Sequence, residues 1–173
     1  MSGKLVSGML LFVAIIAGAL LYYLQVYGYY RIVEDTKNID VKLVSSLSQK
    51  PVGIDYSAFR AIDSNSSPIR YRACFETEIN LEQLSDNYVA ASRVIPRNAP
   101  NWFDCFDAEQ IAAALASDSA RVFLGQKNIH FGVDRVVAIT SDGRGYIWHE
   151  LNDCGRKSYD GTVIGETCPQ RSK

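Results

Sequence analysis

The stretch DRVVAITSDGRGYIWHEL, residues 134–151, decides more of the fold than any other part of the chain. Its two halves are rich in β-branched and aromatic residues, and the turn-forming sequence Ser-Asp-Gly-Arg-Gly lies between them, as in a β-hairpin. Alternate side chains of a strand point to opposite faces, so Trp148 and Glu150 share one face and Ile147 and His149 share the other. Both faces carry apolar side chains, and we expect one of them to pack against a helix.

That helix is predicted to begin at Asp107, upstream of the hairpin. Asp107 and Gln110 make a capping box, in which side chains satisfy free N–H groups of the first turn. An apolar stripe follows, formed by Ile111, Ala112, Leu115 and Ala116. The pattern ends at residues 117–119, Ser-Asp-Ser. A β-rich run at 121–124 then leads back towards the hairpin.

Farther upstream, alternating apolar residues predict two more strands, at 38–46 and 69–75. Asn80 is positioned to cap a short helical turn, and the proline-containing segment 93–104 is predicted to be an irregular loop that covers the sheet. We therefore expect an α+β domain, with a small antiparallel sheet of about four or five strands and one main helix packed on it.

The first thirty residues have a different character. Residues 5–24 contain no charged side chain and are mainly Leu, Val, Ile, Ala, Phe and Met. At about 1.5 Å per residue, a helix of this length spans roughly 30 Å, the thickness of the hydrocarbon core of a bilayer. Tyrosines crowd the end of this segment, and their amphipathic rings favour the membrane interface. We predict an N-terminal transmembrane helix in an anchor at 1–30, followed by a globular domain at 31–173.

A cleaved signal peptide is the alternative interpretation of the same segment. Lys4, the apolar run after it and the sequence Ala-Gly-Ala at 17–19 fit a signal peptide with its cleavage site. Against cleavage, the apolar character continues through Leu24 into the tyrosines, which would make an unfavourable mature N-terminus. We favour the uncleaved anchor.

The cysteines indicate on which side of the membrane the domain lies. The charges near the helix ends give little guidance, because long domains translocate largely regardless of charge. The four cysteines lie outside the apolar helix, and no two have the Cys-x-x-Cys spacing of a zinc or redox site: Cys74, Cys105, Cys154 and Cys168. Disulfides in an oxidising compartment are the simpler account, which places the domain in the periplasm and the N-terminus in the cytoplasm. Of three possible pairings we predict the local one, the first cysteine with the second and the third with the fourth.

The charge composition excludes one class of partner. The chain has 18 basic and 19 acidic residues, and Lys4 is the only charged side chain before residue 31. The domain is therefore close to neutral and lacks the basic field that nucleic acid attracts. We expect no nucleic-acid partner, and no motif in the sequence predicts a cofactor or a metal site.

Four residues in the middle of the chain are candidates for an interaction site. Arg70 and Arg72 alternate along a predicted strand and could together bind a carboxylate or a phosphate, although a solvated face paired with the glutamates at 76 or 78 is the simpler interpretation. Trp102 and Phe103 lie in the predicted covering loop and could form an aromatic contact patch. The alternative is that Trp102 belongs to the core.

His149 is the fifth candidate. With a free Cys154 it could bind a metal ion or assist a nucleophile, but Cys154 is better explained as half of a disulfide. His130 stands alone between apolar residues and is interpreted as a packed or edge histidine rather than a ligand. No triad or phosphate-binding loop is recognisable, so we predict no catalytic residue.

Several motifs together resemble a known family: LYYLQVY at 21–27, SSPIRYRACF at 66–75, WFDCFD at 102–107, FLGQ at 123–126, DRVVA at 134–138, DGRG at 142–145 and WH at 148–149. In them the chain resembles an alphaproteobacterial family of short membrane-anchored proteins, known as a domain of unknown function. The resemblance covers nearly the whole chain. It implies a bacterial inner-membrane protein with a periplasmic domain, and it implies no particular activity.

Two classes of function follow as hypotheses. The preferred one is a non-enzymatic interaction protein, a membrane-tethered periplasmic domain that serves as an accessory subunit or assembly factor of an inner-membrane complex. The small residues Ala14 and Gly18 would let a helix of a protein partner approach the anchor closely. The alternative is a small periplasmic enzyme, or a ligand or metal sensor, that uses the Arg70/Arg72 face or the His149 region.

Overall fold

The computed structural model describes residues 2–36, 40–92 and 94–170. Helix α1, Gly3–Tyr23, continues without interruption into a five-residue π-helix, Leu24–Gly28. Together they form one apolar helix that is long enough to cross a membrane, and its most apolar part is not buried in the rest of the protein. The predicted N-terminal apolar helix is confirmed.

The domain is built on one sheet of six strands: β1 Tyr30–Val33, β4 Ser57–Ser64, β5 Arg72–Glu76, β6 Ala120–His130, β7 Val133–Thr140 and β8 Arg144–Leu151. In space they follow the order β1-β4-β5-β8-β7-β6, and each neighbouring pair is antiparallel. A separate antiparallel pair joins β2, Lys42–Val44, to β3, Pro51–Gly53. The predicted α+β class is confirmed, and the main sheet has more strands than the four or five expected.

Two strands of the main sheet, β1 and β4, were missed in the sequence. β1 begins two residues after the π-helix, where the tyrosines had indicated only a membrane interface, and it pairs with β4 from Tyr30 opposite Ser64 to Val33 opposite Ala61. In β4 the pairing register with β5 shifts between Ser57 and Arg60, so its burial does not alternate with period two. As a result the apolar helix passes directly into the edge of the sheet.

Apolar side chains cover both faces of the main sheet. On one face β2 and the short helix α2, Leu81–Asn87, contribute the buried residues Leu43 and Leu84. On the other face helix α3, Ala108–Ala116, and the loop before it pack Ile111 against Trp148 and its neighbours. The predicted strand at 69–75 needs correction, since it begins only at Arg72 and has both faces buried. The predicted strand at 38–46 is described only from residue 40 onwards, and there β2 is its regular part.

The predicted helix caps are confirmed. Asn80 Oδ1 accepts from the Glu82 N–H at 2.8 Å. Asp107 Oδ1 accepts from the N–H groups of Glu109 and Gln110 at 2.9 and 3.1 Å. These side chains stabilise the two helices because the first N–H groups of a helix have no partner within it.

The predicted hairpin joins β7 to β8 and contacts β5 through its turn. Gly143 has a φ of 85°, a conformation that glycine adopts without strain. The Thr77 N–H donates to the Gly143 carbonyl at 2.8 Å. A Cβ atom at residue 143 would lie 2.4 Å from the Thr77 carbonyl oxygen. Glycine is therefore required here by both the backbone conformation and the close approach.

The four cysteines form the two local pairs that were predicted. Cys74 in β5 is bonded to Cys105 in the loop before α3, across 31 residues. Cys154 is bonded to Cys168 across 14 residues, in the segment after β8. Residues 94–107 have no helix or strand and lie where the irregular covering loop was predicted, and we keep the name covering loop for them; residue 93 lies outside the described residues. The first disulfide fastens this loop to the centre of the sheet, whereas the second closes a loop after β8.

Candidate functional site at the anchor–domain junction

Two side chains of the domain bind the end of the apolar helix, and we call this arrangement the junction. Arg70 Nη1 donates to the Gln25 carbonyl at 3.4 Å and also binds the Gln25 side chain. Trp102 Nε1 donates to the Val26 carbonyl at 2.7 Å. The last carbonyls of a helix have no N–H partner within it, and a cation near them also interacts favourably with the helix dipole. The junction therefore stabilises the helix end and attaches it to the domain.

The π-helical turn determines which carbonyls face the domain. The Tyr29 N–H donates to the Leu24 carbonyl at 3.0 Å, five residues back along the chain. In an α-helix that N–H would bind the Gln25 carbonyl, which here accepts from Arg70 instead. Single π-turns are frequent at functional sites.

Aromatic rings extend the junction around Trp102. Its ring stacks on Tyr27 with the centroids 6.4 Å apart and meets the edge of Tyr30 at 5.9 Å. The Arg70 guanidinium lies 5.6 Å from the Tyr30 centroid. Aromatic pairs and cation–π contacts each add modest stabilisation beyond the area they bury. Several of them act together here on one short segment.

The segment that carries Trp102 is itself fixed to the core. Phe103, the next residue, is buried and meets the Trp102 ring edge-on at 6.3 Å. Two residues later Cys105 is bonded to Cys74 in β5. The sequence grouped Trp102 and Phe103 as one aromatic patch, but the structure separates them: Phe103 lies in the core and Trp102 lies half-exposed at the junction.

A conservative change at Trp102 tests whether its hydrogen bond holds the junction together. Trp102→Phe removes the indole N–H but keeps a ring beside Tyr27. We expect the junction to weaken by about 0.5–1.5 kcal/mol, the net contribution of one hydrogen bond. Hydrogen exchange should become faster in residues 24–33 and stay unchanged in β7. Tyr159→Phe, at a fully exposed ring, is the control, and unchanged exchange at 24–33 in Trp102→Phe would contradict the assignment.

Arg72 lies apart from Arg70 in a buried environment. It is 5% exposed and donates to four backbone carbonyls at 2.7–3.0 Å, those of Ile69, Tyr71, Arg97 and Asn98. The interpretation of a solvated face paired with Glu76 or Glu78 is therefore wrong for Arg72, because the covering loop excludes water there. Burial lowers the pKa of Arg72 to about 10, which still leaves the guanidinium charged at neutral pH. Arg72 holds the covering loop on the sheet and keeps at most one of its five N–H groups for a ligand.

His149 is also buried, and both of its ring nitrogens are occupied. Arg135 Nε donates to His149 Nε2 at 3.1 Å, so the proton lies on Nδ1, which donates to the Pro68 carbonyl at 2.6 Å. The ring stacks on Tyr71 with the centroids 4.9 Å apart. Burial lowers the pKa of His149 to about 4, so the imidazole is neutral at neutral pH. Because Cys154 is in a disulfide, the alternative of a reactive or metal-binding pair with His149 is wrong.

Acidification is expected to destabilise the domain through His149. The pKa of its imidazole is about 4 in the folded state and near 6.5 when unperturbed, so the unfolded chain binds a proton first as the pH falls. The stabilisation by the neutral ring is complete above pH 6.5 and is lost between pH 6.5 and 4, by roughly 3 kcal/mol in total. Unfolding in urea, measured across this range, should show the decline. His149→Gln should flatten it, while Tyr159→Phe, at a fully exposed ring, should leave the slope intact; equal slopes in all three proteins would contradict the prediction.

Glu150 is a buried acid whose role was not predicted from the sequence. Its carboxylate accepts from the Ile95 N–H at 3.2 Å and from Trp148 Nε1 at 3.4 Å, and it forms an ion pair with Arg97. It lies in the wall of a cleft of about 720 Å³ whose rim carries charges of both signs, including Lys127. The position of Glu150 among apolar residues of a predicted strand could have indicated a buried carboxylate with a polar partner, because a buried charge needs one. Because Ile95 and Arg97 belong to the covering loop, Glu150 attaches this loop to β8.

Among residues 2–36, 40–92 and 94–170, no group of three or more His, Cys, Asp or Glu side chains is arranged to hold a metal ion. A protein-family model described as a family of unknown function (DUF6446) matches residues 41–169. The chain belongs to this family. The DUF6446 match includes Arg70, Trp102 and both disulfides, whereas Gln25 and the rest of the apolar helix precede it. Comparisons with curated proteins and with solved structures give no match. The expected resemblance is thus confirmed as to the family, and the bacterial source stays a prediction.

Proposed function

We propose that this DUF6446 protein is a non-enzymatic, membrane-tethered interaction protein. In this proposal an uncleaved anchor at 1–30 holds a periplasmic domain at 31–173 on a bacterial inner membrane. The domain serves there as an accessory subunit or assembly factor of a membrane complex.

The junction is the observation that carries this proposal. Arg70 and Trp102 bind the helix end directly, and β1 starts only two residues after the π-helix. A domain on a flexible linker samples many orientations, whereas one bonded to its helix presents the same surface to its neighbours in the membrane. A fixed orientation favours stable contacts with a partner that is itself held in the bilayer, because less freedom is lost on association.

The two disulfides support the periplasmic side. Structural disulfides persist in oxidising compartments and are rare in the cytosol. The two disulfides, Cys74–Cys105 and Cys154–Cys168, use all four cysteines of the chain. A transmembrane helix whose C-terminal side carries such a domain is oriented with its N-terminus in the cytoplasm.

The anchor offers a surface on which a partner helix can pack. The residues of α1 are all exposed, and a Cβ atom added at Gly18 would have no atom within 4 Å outside the backbone of its own helix. Ala14 lies one turn before Gly18 on the same face. Small residues one turn apart allow the backbones of two membrane helices to approach closely.

Extraction of the full-length protein from native membranes tests the proposal. The tagged protein is solubilised in mild detergent without reductant, separated by size exclusion and analysed by mass spectrometry. We expect one or a few membrane proteins at fixed stoichiometry, and an intact mass that includes residues 1–30. A lone small particle would overturn the interaction proposal, and ligand and metal screening of the protein would then follow.

A single enlarged side chain in the anchor should weaken the association. Gly18→Leu fills the space that a partner helix would use, and we expect the recovered partner to fall by about tenfold, which corresponds to roughly 1.4 kcal/mol. Ala19→Leu enlarges the neighbouring face and is the matched control. Equal recovery from both variants would exclude this face of the anchor as the contact.

A further inference from the structure

The helix register fixes the depth of the junction in a bilayer. Residues 5–24 are uncharged and span about 30 Å, the full hydrocarbon core. Gln25 and Val26 then lie roughly 1.5 and 3 Å beyond the hydrocarbon, at a rise of about 1.5 Å per residue. The polar headgroup layer on each side is about 5–7 Å thick. Both carbonyls are therefore inside this layer.

Arg70 and Trp102 must share that depth because they bind these carbonyls directly. The indole nitrogen of Trp102 is 2.7 Å from the Val26 oxygen, and the Arg70 guanidinium contacts both the carbonyl and the side chain of Gln25. These partners lie 76 and 45 residues apart along the chain. The folded domain thus brings two of its own side chains to the headgroup layer and does not stand away from the membrane on a stalk.

The chemistry of the surface around the junction suits that environment. Trp102 is 36% exposed, and Tyr27, whose ring stacks on it, is 46% exposed. Indole and phenol rings combine an apolar body with a polar group and favour the interface. Among the described residues no carboxylate pairs with Arg70, so its charge is available for a lipid phosphate.

We propose that this side of the domain, formed by Tyr27, Arg70 and Trp102, rests in the headgroup layer of an anionic bilayer. Trp102 is its aromatic anchor and Arg70 binds lipid phosphate. The inference rests on the membrane anchoring in the proposed function, but it needs no protein partner.

The tryptophan content allows a direct test in the intact protein. The chain has two tryptophans, and Trp148 is completely buried in the core. Full-length protein is reconstituted into phosphatidylcholine–phosphatidylglycerol vesicles whose lipids carry bromine either near the top of the acyl chains or near the bilayer centre. In the Trp102→Phe variant all tryptophan emission comes from Trp148. The difference in emission between the unchanged protein and this variant is therefore the emission of Trp102.

We expect Trp102 to lose more emission with shallow bromine than with deep bromine, and to resist quenching by iodide in the aqueous phase. Quenching by iodide without quenching by bromine would overturn the inference, because Trp102 would then face water. Resistance to both quenchers would also overturn it and would indicate that protein covers Trp102.

Two further measurements separate this inference from the proposed function. Flotation of the protein with the vesicles reports anchoring by itself: protein that floats but shows no shallow quenching refutes only the inference, whereas protein that does not float refutes the anchoring as well. In vesicles that contain phosphatidylglycerol we expect more quenching of Trp102 by shallow bromine than in vesicles of phosphatidylcholine alone. Arg70→Gln should abolish this increase. Arg31→Gln, at an arginine already paired with Asp63, should preserve that increase, and an identical response of both variants would remove the role of Arg70.

Discussion

Arg72→Met is expected to destabilise the domain by about 3–5 kcal/mol, although methionine is also unbranched and is a good core residue. The change removes the donors from four backbone carbonyls, one of them buried and three part-buried. Each buried carbonyl left without a partner costs about 1–3 kcal/mol, and water can reach only some of them. Unfolding of the full-length protein in detergent with urea, without reductant, measures the loss.

Arg70→Met is the matched control, two residues away on the same segment. Arg70 is only partly buried and binds the end of the apolar helix. We expect it to change the unfolding free energy of the domain by less than about 1 kcal/mol, because its hydrogen bonds to Gln25 are exposed and lie outside the core. Similar losses in the two variants would show that Arg72 does not hold the covering loop.

Removal of the disulfide between Cys74 and Cys105 is the second large effect that we expect. Closing a loop of 31 residues stabilises the folded state by about 3–4 kcal/mol through the entropy of the unfolded chain. The double change to alanine should lower the unfolding free energy by that amount. It should also increase hydrogen exchange at 24–33, because Trp102 lies on the segment that this disulfide fastens.

The second disulfide provides the control for this experiment. The bond between Cys154 and Cys168 closes a shorter loop, for which the same model gives about 3 kcal/mol. That loop follows the last strand and is mostly exposed, so its opening is expected to be local and to leave the unfolding of the sheet nearly unchanged. Equal destabilisation of the sheet by the two double variants would show that loop entropy, and not the position of Cys105 over the sheet, sets the effect.

The junction connects these stability predictions to function. Arg72 and Cys105 hold the covering loop, and this loop carries Trp102, which binds the anchor. Changes that loosen the loop are therefore expected to reduce both domain stability and the fixed orientation of the domain on its helix. A variant that reduced partner recovery with unchanged stability, such as Gly18→Leu, would separate contacts in the membrane from the folding of the domain.

Features that depend on a few neighbouring residues were predictable. The caps at Asn80 and Asp107, the hairpin turn at Gly143 and the apolar helix each arise from residues within a short segment. The local disulfide pairs were also correct. In each case a local hydrogen bond, a backbone preference or a short loop favours one outcome, so sequence spacing is sufficient.

The environment of the candidate site was not predictable in the same way. A period of two in a strand identifies a buried face only when the other face meets water, and β5 is covered on both sides. Arg72 therefore looked solvated, and His149 looked available for chemistry. Their actual partners, such as Asn98 and Pro68, come from distant parts of the chain.

By itself the sequence determined an apolar helix long enough for a membrane, an α+β domain, two caps, one hairpin and two local disulfides, because each rests on composition or on near neighbours. Only the tertiary structure decided that the sheet has six strands and is covered on both faces. It also decided that Arg70 and Trp102 bind the helix end from 45 and 76 residues away. Contacts of that separation depend on how sheet, loop and helix pack together, and no local pattern encodes them.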